Sequence, residues 1–214
     1  GNGTLGNPVT MSTSNDYVMS VAWGDFDGDG DLDLAVGREG LQNVIYPNKG
    51  DGTFGAAVNF GPADDVTQSV AWGDFDGDGD LDLAVGDRGQ SAVYPNNGNG
   101  TFSAAVNFGA ADDDTRSVVW GDFDGDGDLD LAVGVVGQGA VYPNNGDGSF
   151  GDAVNFGPAD NDAMSVAWGD FDGDGDLDLA SGNWIEQNVV YRNQAPPPPP
   201  SLTTHSPITN SFVT

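Results

Sequence analysis

Gly24-Asp25-Phe26-Asp27-Gly28-Asp29-Gly30-Asp31-Leu32-Asp33-Leu34-Ala35 recurs, residue for residue, from Gly73, Gly121 and Gly169. The four starts lie 49, 48 and 48 residues apart, and a fixed period of this size recasts the whole fold problem as one unit repeated. Around each copy the order is constant. Ser-Val-Ala/Val-Trp precedes it, and a short variable stretch, Val-Ile/Val-Tyr, an Asn/Gly turn, Thr/Ser-Phe and Ala-Val-Asn-Phe follow, with the last copy stopping after its Tyr. Leu32-Asp33-Leu34-Ala35-Val36 alternates large apolar with small or polar side chains, the pattern of a strand with one buried face. Asn96-Asn97-Gly98-Asn99-Gly100 supplies residues that accept positive φ, so a hairpin should join the strands on either side. No stretch keeps a 3.6-residue period for three turns.

Each unit therefore reads as four short strands, and the expected fold is all-β: a β-propeller of four-stranded blades, four per chain. Strict periodicity disfavours the alternative, a β-sandwich. The phase of the repeat predicts how the array ends. Gly1-Asn2-Gly3-Thr4-Leu5 aligns with Gly98-Asn99-Gly100-Thr101-Phe102, and the last unit stops at Val190-Tyr191-Arg192-Asn193, where its outer strand would follow. The N-terminal segment is thus expected to supply the outer strand of the last blade, which removes exposed sheet edges. Two closures satisfy this: within one chain as four blades, or by exchange in a homodimer that closes an eight-bladed ring. The propeller occupies residues 1–194. Residues 195–214, with five prolines at Pro196 to Pro200, read as a Pro-rich linker and a Ser/Thr-rich tail, in which Ile208 to Val213 could add a strand.

The acid needs its own explanation. The 214 residues carry 34 Asp or Glu against 5 Lys or Arg, a formal charge of −29, and no Cys. Such a charge repels phosphates and anionic lipid, so no nucleic-acid partner is expected. No apolar run is long enough for a membrane-spanning helix. The four repeated stretches hold 20 of the acidic residues at alternate positions: Asp25, Asp27, Asp29, Asp31 and Asp33; Asp74, Asp76, Asp78, Asp80 and Asp82; Asp122, Asp124, Asp126, Asp128 and Asp130; and Asp170, Asp172, Asp174, Asp176 and Asp178. Neighbouring carboxylates repel by about 1 kcal/mol per pair at 4 Å even in water, and a cation offsets this. Hard oxygen donors without His or Cys select Ca²⁺, about four ions per chain, which would bring the charge to −21.

The spacing D-x-D-x-D-G-x-x-D matches the first half of an EF-hand loop, with ligands at positions 1, 3 and 5, Gly at 6 and a main-chain oxygen at 7. It then departs. Position 12 is Val36, Val85, Val133 or Ser181 rather than Glu, and Asp33, Asp82, Asp130 or Asp178 at position 9 is expected to close the site. Asp31 and its equivalents would contribute main-chain oxygen, with side chains near solvent.

Phe-Asp-Gly-Asp-Gly-Asp-Leu-Asp-Leu-Ala-Val-Gly, with Phe60-Gly61-Pro62-Ala63 and the unit length, resembles the FG-GAP/VCBS repeat of integrin α-subunit propellers, bacterial secreted proteins and fungal-type lectins. The resemblance covers residues 1–194. It implies Ca²⁺ in the hairpin between the first and second strands of each blade, opposite the usual ligand surface, and a secreted, extracellular or cell-surface location. Family propellers commonly have seven blades, so four units depart from the pattern.

Catalysis is not expected. The single His205 lies in the tail, the single Lys49 in a turn, and no Ser-His-Asp or Cys-His set can be assembled. The variable stretches fall into two sets, 15–19, 64–68, 112–116 and 160–164 before the inner strand, and 38–42, 87–90, 135–138 and 183–187 after the second, and both should project on one face. Tyr17, Trp184, Arg38, Arg88 and Arg116 are candidate contacts there. Trp23, Trp72, Trp120 and Trp168, one per inner strand, are expected in the core. The leading functional expectation is an adhesion or ligand-binding module for a protein or glycan. A lectin-like accessory module or the propeller of a polysaccharide-active enzyme, and a purely structural spacer, are the alternatives.

Overall fold

A computed structural model describes residues 3–11 and 16–194. Among them the chain forms fifteen strands and no helix. Blade 1 comprises β1 (Val18–Gly24), β2 (Asp33–Arg38), β3 (Asn43–Tyr46) and β4 (Val58–Phe60). Blade 2 comprises β5 (Thr67–Gly73), β6 (Asp82–Asp87), β7 (Ser91–Tyr94) and β8 (Val106–Phe108). Blade 3 comprises β9 (Thr115–Gly121), β10 (Asp130–Val135), β11 (Gly139–Tyr142) and β12 (Val154–Phe156), and blade 4 comprises β13 (Ala163–Gly169), β14 (Asp178–Asn183) and β15 (Val189–Tyr191). Every blade is an antiparallel meander in sequence order.

The second strand of each unit is the most buried. Leu34, Ala35 and Val36, then Leu83, Ala84 and Val85, then Leu131, Ala132 and Val133 are all buried, on both sheet faces. Such a strand needs apolar residues without alternation, because it packs between neighbouring blades. Val36, Val85 and Val133 are the side chains where an EF-hand would place its closing Glu. They fill the core, so no ligand can come from there.

The junctions between blades repeat as strictly as the sequence. Gly24, Gly73 and Gly121 end the inner strands, and a Cβ on any of them would lie 2.5–2.6 Å from the indole of Trp72, Trp120 or Trp168 in the following blade. The glycine is needed here for close approach. The same indoles meet Phe26, Phe75 and Phe123 at centroid distances of 6.3, 5.9 and 5.7 Å. Trp72 Nε1 donates to Ala22 O and Trp120 Nε1 to Ala71 O, both at 3.2 Å. Val70, Val118 and Val166 N–H donate to the hydroxyls of Ser20, Ser69 and Ser117 at 3.1–3.2 Å. A turn phenylalanine completes the packing: Phe102 lies 4.8 Å from Phe26 and 5.8 Å from Tyr94, and Phe150 lies 4.7 Å from Phe75 and 5.8 Å from Tyr142.

Blade 4 has three strands among the described residues, and the N-terminal segment lies beside blade 1 of its own chain, so of the two expected closures the one within a single chain is not formed in this structure. Val9, Thr10 and Met11 line a cleft there with Val18, Val21, Val36 and Tyr46. Their tether to β1 keeps them at this end of the array, while β15 stands at the other. Trp23, expected in the core, is 55% exposed, because no blade among the described residues covers its outward face. The linker and tail expected over 195–214 lie outside the described residues.

A polar chain runs through the first two junctions where the core would otherwise be apolar. Asn43 Nδ2 donates to Thr67 Oγ1 (2.7 Å), which donates to Asp87 Oδ1 (2.6 Å), while Ser91 Oγ accepts from Asp87 N (3.1 Å) and donates to Thr115 Oγ1 (3.0 Å). All five residues are buried, and burial raises the Asp87 pKa, with the Thr67 bond acting against it. Thr67→Val keeps the shape but strips Asp87 of its donor. Chemical denaturation should show a loss of about 1–3 kcal/mol.

Candidate metal centres

The acidic hairpin joins the first and second strands of every blade, and its geometry follows from Asp and Gly alternation. Asp25 accepts from Gly28 N (2.9 Å) and Gly30 N (3.0 Å), Asp27 from Asp29 N (3.3 Å) and Asp29 from Asp31 N (2.9 Å). Gly28 and Gly30 sit at φ +74° and +90°, where a side chain would be strained. These bonds turn carboxylates at alternate positions toward a common point. Carboxylate oxygens of Asp25, Asp27 and Asp29 lie within 4.8 Å of one another, as do those of Asp74, Asp76 and Asp78, of Asp122, Asp124 and Asp130, and of Asp170, Asp172 and Asp178.

The position-9 aspartates do more than the sequence predicts. Asp33, Asp82, Asp130 and Asp178 are almost wholly buried. Each carboxylate is clamped by two backbone N–H groups, Phe26 and Asn48 on Asp33 at 2.8 and 2.6 Å, Phe75 and Asn96 on Asp82 at 2.6 and 2.7 Å. The other two blades repeat this with Phe123 and Asn144, and with Phe171 and Asn193. The aspartate thereby ties the acidic hairpin to the end of the third strand. It joins the close carboxylate cluster in blades 3 and 4, whereas Asp29 and Asp78 do so in blades 1 and 2. The carboxylates of Asp31, Asp80 and Asp128 lie outside the clusters, against Gly50, Gly98 and Gly146 of the following turn. Asp126, Asp174 and Asp176 are also outside them.

Sequence reading passed over Asn48, Asn96, Asn144 and Asn193. Asn96 Nδ2 donates to Phe26 O (3.0 Å), Asn144 Nδ2 to Phe75 O (2.7 Å) and Asn193 Nδ2 to Phe123 O (2.6 Å), so each pins its own hairpin to that of the preceding blade. Their recurrence two residues after the Tyr of every unit was the available signal.

Electrostatics favour a cation at each cluster. Partial burial raises the Asp27 pKa, helped by the charges of Asp33 and Asp29. Asp76 and Asp124 are raised by burial and then by Asp78 and Asp126. Burial pushes Asp82 up to about 6 against its two N–H donors. Among the described ion pairs only Arg192, 3.7 Å from Asp172, brings a positive charge to a cluster. The donor set is all hard oxygen, and these residues fit a divalent cation of the calcium type.

The variable loops meet at the opposite end of each blade, as β1 shows by pairing Gly24 with Asp33 at one end and Val18 with Arg38 at the other. They are stitched across junctions: Glu39 bridges Val66, Arg88 bridges Asp114 and Val136 bridges Asp162. The arginines expected as ligand contacts are engaged with their own scaffold. Arg38 pairs with Asp16 at 3.4 Å and donates to Gln42 O, Arg88 reaches Asp114 at 3.3 Å, and Arg116 reaches the same carboxylate at 2.6 Å. Tyr17 and Trp184 are 73% and 69% exposed. Behind Asp64 in this loop set, burial together with the charges of Asp87 and Asp64 holds Asp65 up at about 7.

The FG-GAP-like repeat matches residues 1–36, 35–85, 74–133 and 134–181. No curated protein matches the chain in sequence. Among solved structures, an Agrocybe aegerita lectin that recognises non-reducing terminal N-acetylglucosamine is 24% identical, with a TM-score of 0.52 over 74% of this chain and 45% of its own. BBS1N, solved in complex with ARL6DN, is 13% identical, with a TM-score of 0.55 over 78% of this chain and 52% of its own. The chain thus spans about half the length of these two solved chains, and the likenesses show the fold.

Removing divalent ions with a chelator should lower the melting temperature, and Ca²⁺ should restore it. Calorimetric titration should count one ion fewer in Asp74→Asn than in the native chain. A melting temperature indifferent to both treatments would contradict metal binding at these clusters.

Proposed function

The chain belongs to the FG-GAP-like repeat family, and from that premise we propose that it is a secreted or cell-surface β-propeller whose hairpins bind structural Ca²⁺ and whose loop face binds a protein or glycan ligand. The observation that carries this is the division of the molecule into two ends. At one, four near-identical acidic hairpins place carboxylates around a common point. At the other, loops that differ between units expose Tyr17, Leu41, Trp184 and Ile185 from a stitched scaffold. Identical residues suit a job done four times, and divergent ones suit recognition.

Calcium is assigned a structural role because the hairpin cannot close cheaply while its carboxylates repel, so ion binding couples to folding. Millimolar extracellular Ca²⁺ suits loops of this openness. The reading is of binding rather than catalysis because no Ser-His-Asp or Cys-His set can be assembled from the sequence. An exposed aromatic ring offers a flat apolar surface with low entropy cost on ordering. One structural neighbour is described as recognising terminal N-acetylglucosamine, which makes a glycan the first ligand class to test.

A glycan array probed in Ca²⁺ should give saturable binding that the Tyr17→Ala, Trp184→Ala double variant loses. Its melting temperature should stay near that of the native chain, since both rings are largely in water. Binding that survives the double variant would place recognition elsewhere. An array without hits, followed by no binding to extracellular-matrix proteins, would favour the structural spacer.

A further inference from the structure

A pair of positions 22 residues apart recurs on the loop side of every blade, and its chemistry differs in each. In blade 1 the pair is Asp16 and Arg38, an ion pair at 3.4 Å. In blade 4 it is Asn161 and Asn183, joined amide to amide at 3.1 Å. In blade 3 Asp113 has Val135 as its counterpart and takes a hydrogen bond from Ala110 N at 2.7 Å. In blade 2 the pair is two acids, Asp65 and Asp87.

Asp87 is buried and Asp65 half-buried, with Asn43 of blade 1 and Thr67 between them. Asn43 Nδ2 donates to Asp65 Oδ2 (3.4 Å) and to Thr67 Oγ1 (2.7 Å), which donates to Asp87 Oδ1 (2.6 Å). Tyr94 shares the site, since a Cβ at Gly61 would lie 2.9 Å from Asp65 Oδ2 and 3.1 Å from the Tyr94 hydroxyl. Asn43, Thr67 and Tyr94 are neutral donors. The basic groups on the surrounding elements pair elsewhere: Arg38 with Asp16, Arg88 with Glu39 and Asp114, and Arg116 with Asp114. Asp64, in the same loop, is a third acid. Two facing carboxylates in such a site ionise together only at a cost. Burial first, then the charges of Asp87 and Asp64, hold the Asp65 carboxyl up at about 7. Burial raises Tyr94 as well, with Asp65 and Asp87 adding to it.

The segment that bears Asp65 also joins two blades. Asp65 O accepts from Gly40 N at 2.6 Å, and Val66 bridges Glu39, so the 38–42 loop of blade 1 is held by the residues beside this acid. We propose that Asp65 and Asp87 form a proton-operated latch between blades 1 and 2, closed while Asp65 keeps its proton and loosened when Asp65 ionises opposite the Asp87 carboxylate. One proton gives blade 2 a neutral group at the position where blade 4 has the amide of Asn161 at every pH. Losing it leaves blade 2 with two like charges where blade 1 has opposite ones.

Thermal unfolding across a pH series in saturating Ca²⁺ compares the native chain with Asp65→Asn, whose amide copies Asn161 of blade 4. The folded carboxyl holds its proton more tightly than an unfolded Asp of pKa about 3.9. Native stability should therefore fall relative to the variant from about pH 4 to about pH 7 and stay level above. At about pH 8 the variant should melt several degrees higher than the native chain, with the gap closing toward about pH 4. Asp87→Asn keeps an acceptor for Thr67 and removes the facing charge, so its fall should end at a lower pH. Asp113→Asn, whose counterpart is Val135, should run parallel to the native chain. Amide exchange reads the latch itself: Gly40 N–H should exchange faster with rising pH relative to Gly89 N–H, which donates to Asp113 O at 2.7 Å. The proposal is overturned by a pH-independent gap between native and Asp65→Asn, by the same widening in Asp113→Asn, or by an unmoved range in Asp87→Asn. A Gly40 to Gly89 exchange ratio that is constant with pH overturns it equally.

Discussion

The structure depends on one steric condition: an indole lies against a glycine at every junction. The Trp of blades 2, 3 and 4 occupies the volume that any side chain on the preceding Gly would take. From this seat the indole N–H reaches the preceding strand's carbonyl in the first two junctions, and the ring stacks beside the preceding Phe in all three. The sheets themselves share few hydrogen bonds. Their alignment comes from this packing and from the Ser and Asn side chains that cross beside it. A four-stranded meander of short strands cannot bury both faces alone, so each blade is stable only through its neighbours.

The acidic hairpins follow from that arrangement and load it with charge. A buried aspartate anchors each hairpin to the third strand through two N–H groups, and its neighbours in sequence are left facing one another. Burial raises the pKa of Asp82 and Asp130, so the ionised hairpin is under electrostatic strain in the absence of a cation. A divalent ion reverses this, favouring the ionised form of the same carboxylates. One repeated stretch therefore supplies both the seat for the next blade and the centre that a cation would occupy.

Much of this was legible because the repeat is strict. Period, strand positions, the turn at Asn96 to Gly100 and the carboxylate clusters all follow from residue order that recurs four times. What sequence did not disclose involves partners far along the chain. Asn96 contacts a carbonyl 70 residues away, and a lone Pro-Asn after a strand reads as a turn. The arginines read as ligand contacts because sequence shows them in loops, yet Arg38 meets Asp16 from the loop before β1 of its own blade, Arg88 meets Asp114 from the next blade, and Arg116 turns back on Asp114 two residues earlier. Trp23 reads as its three equivalents do, and differs only because its junction is unfilled. The N-terminal segment matches an outer strand in sequence, but its tether places it at the opposite end from the blade that lacks one.

The most direct test of the glycine seat is the thermal unfolding of Gly73→Ala. This residue lies in a strand with an ordinary φ, so backbone entropy alone would make alanine stabilising by about 0.4–1 kcal/mol. If the seat governs the array, the added methyl meets the Trp120 ring at 2.6 Å. Overpacking of this kind costs about 1–3 kcal/mol, and the melting temperature should fall by several degrees. An unchanged or raised melting temperature would contradict the account.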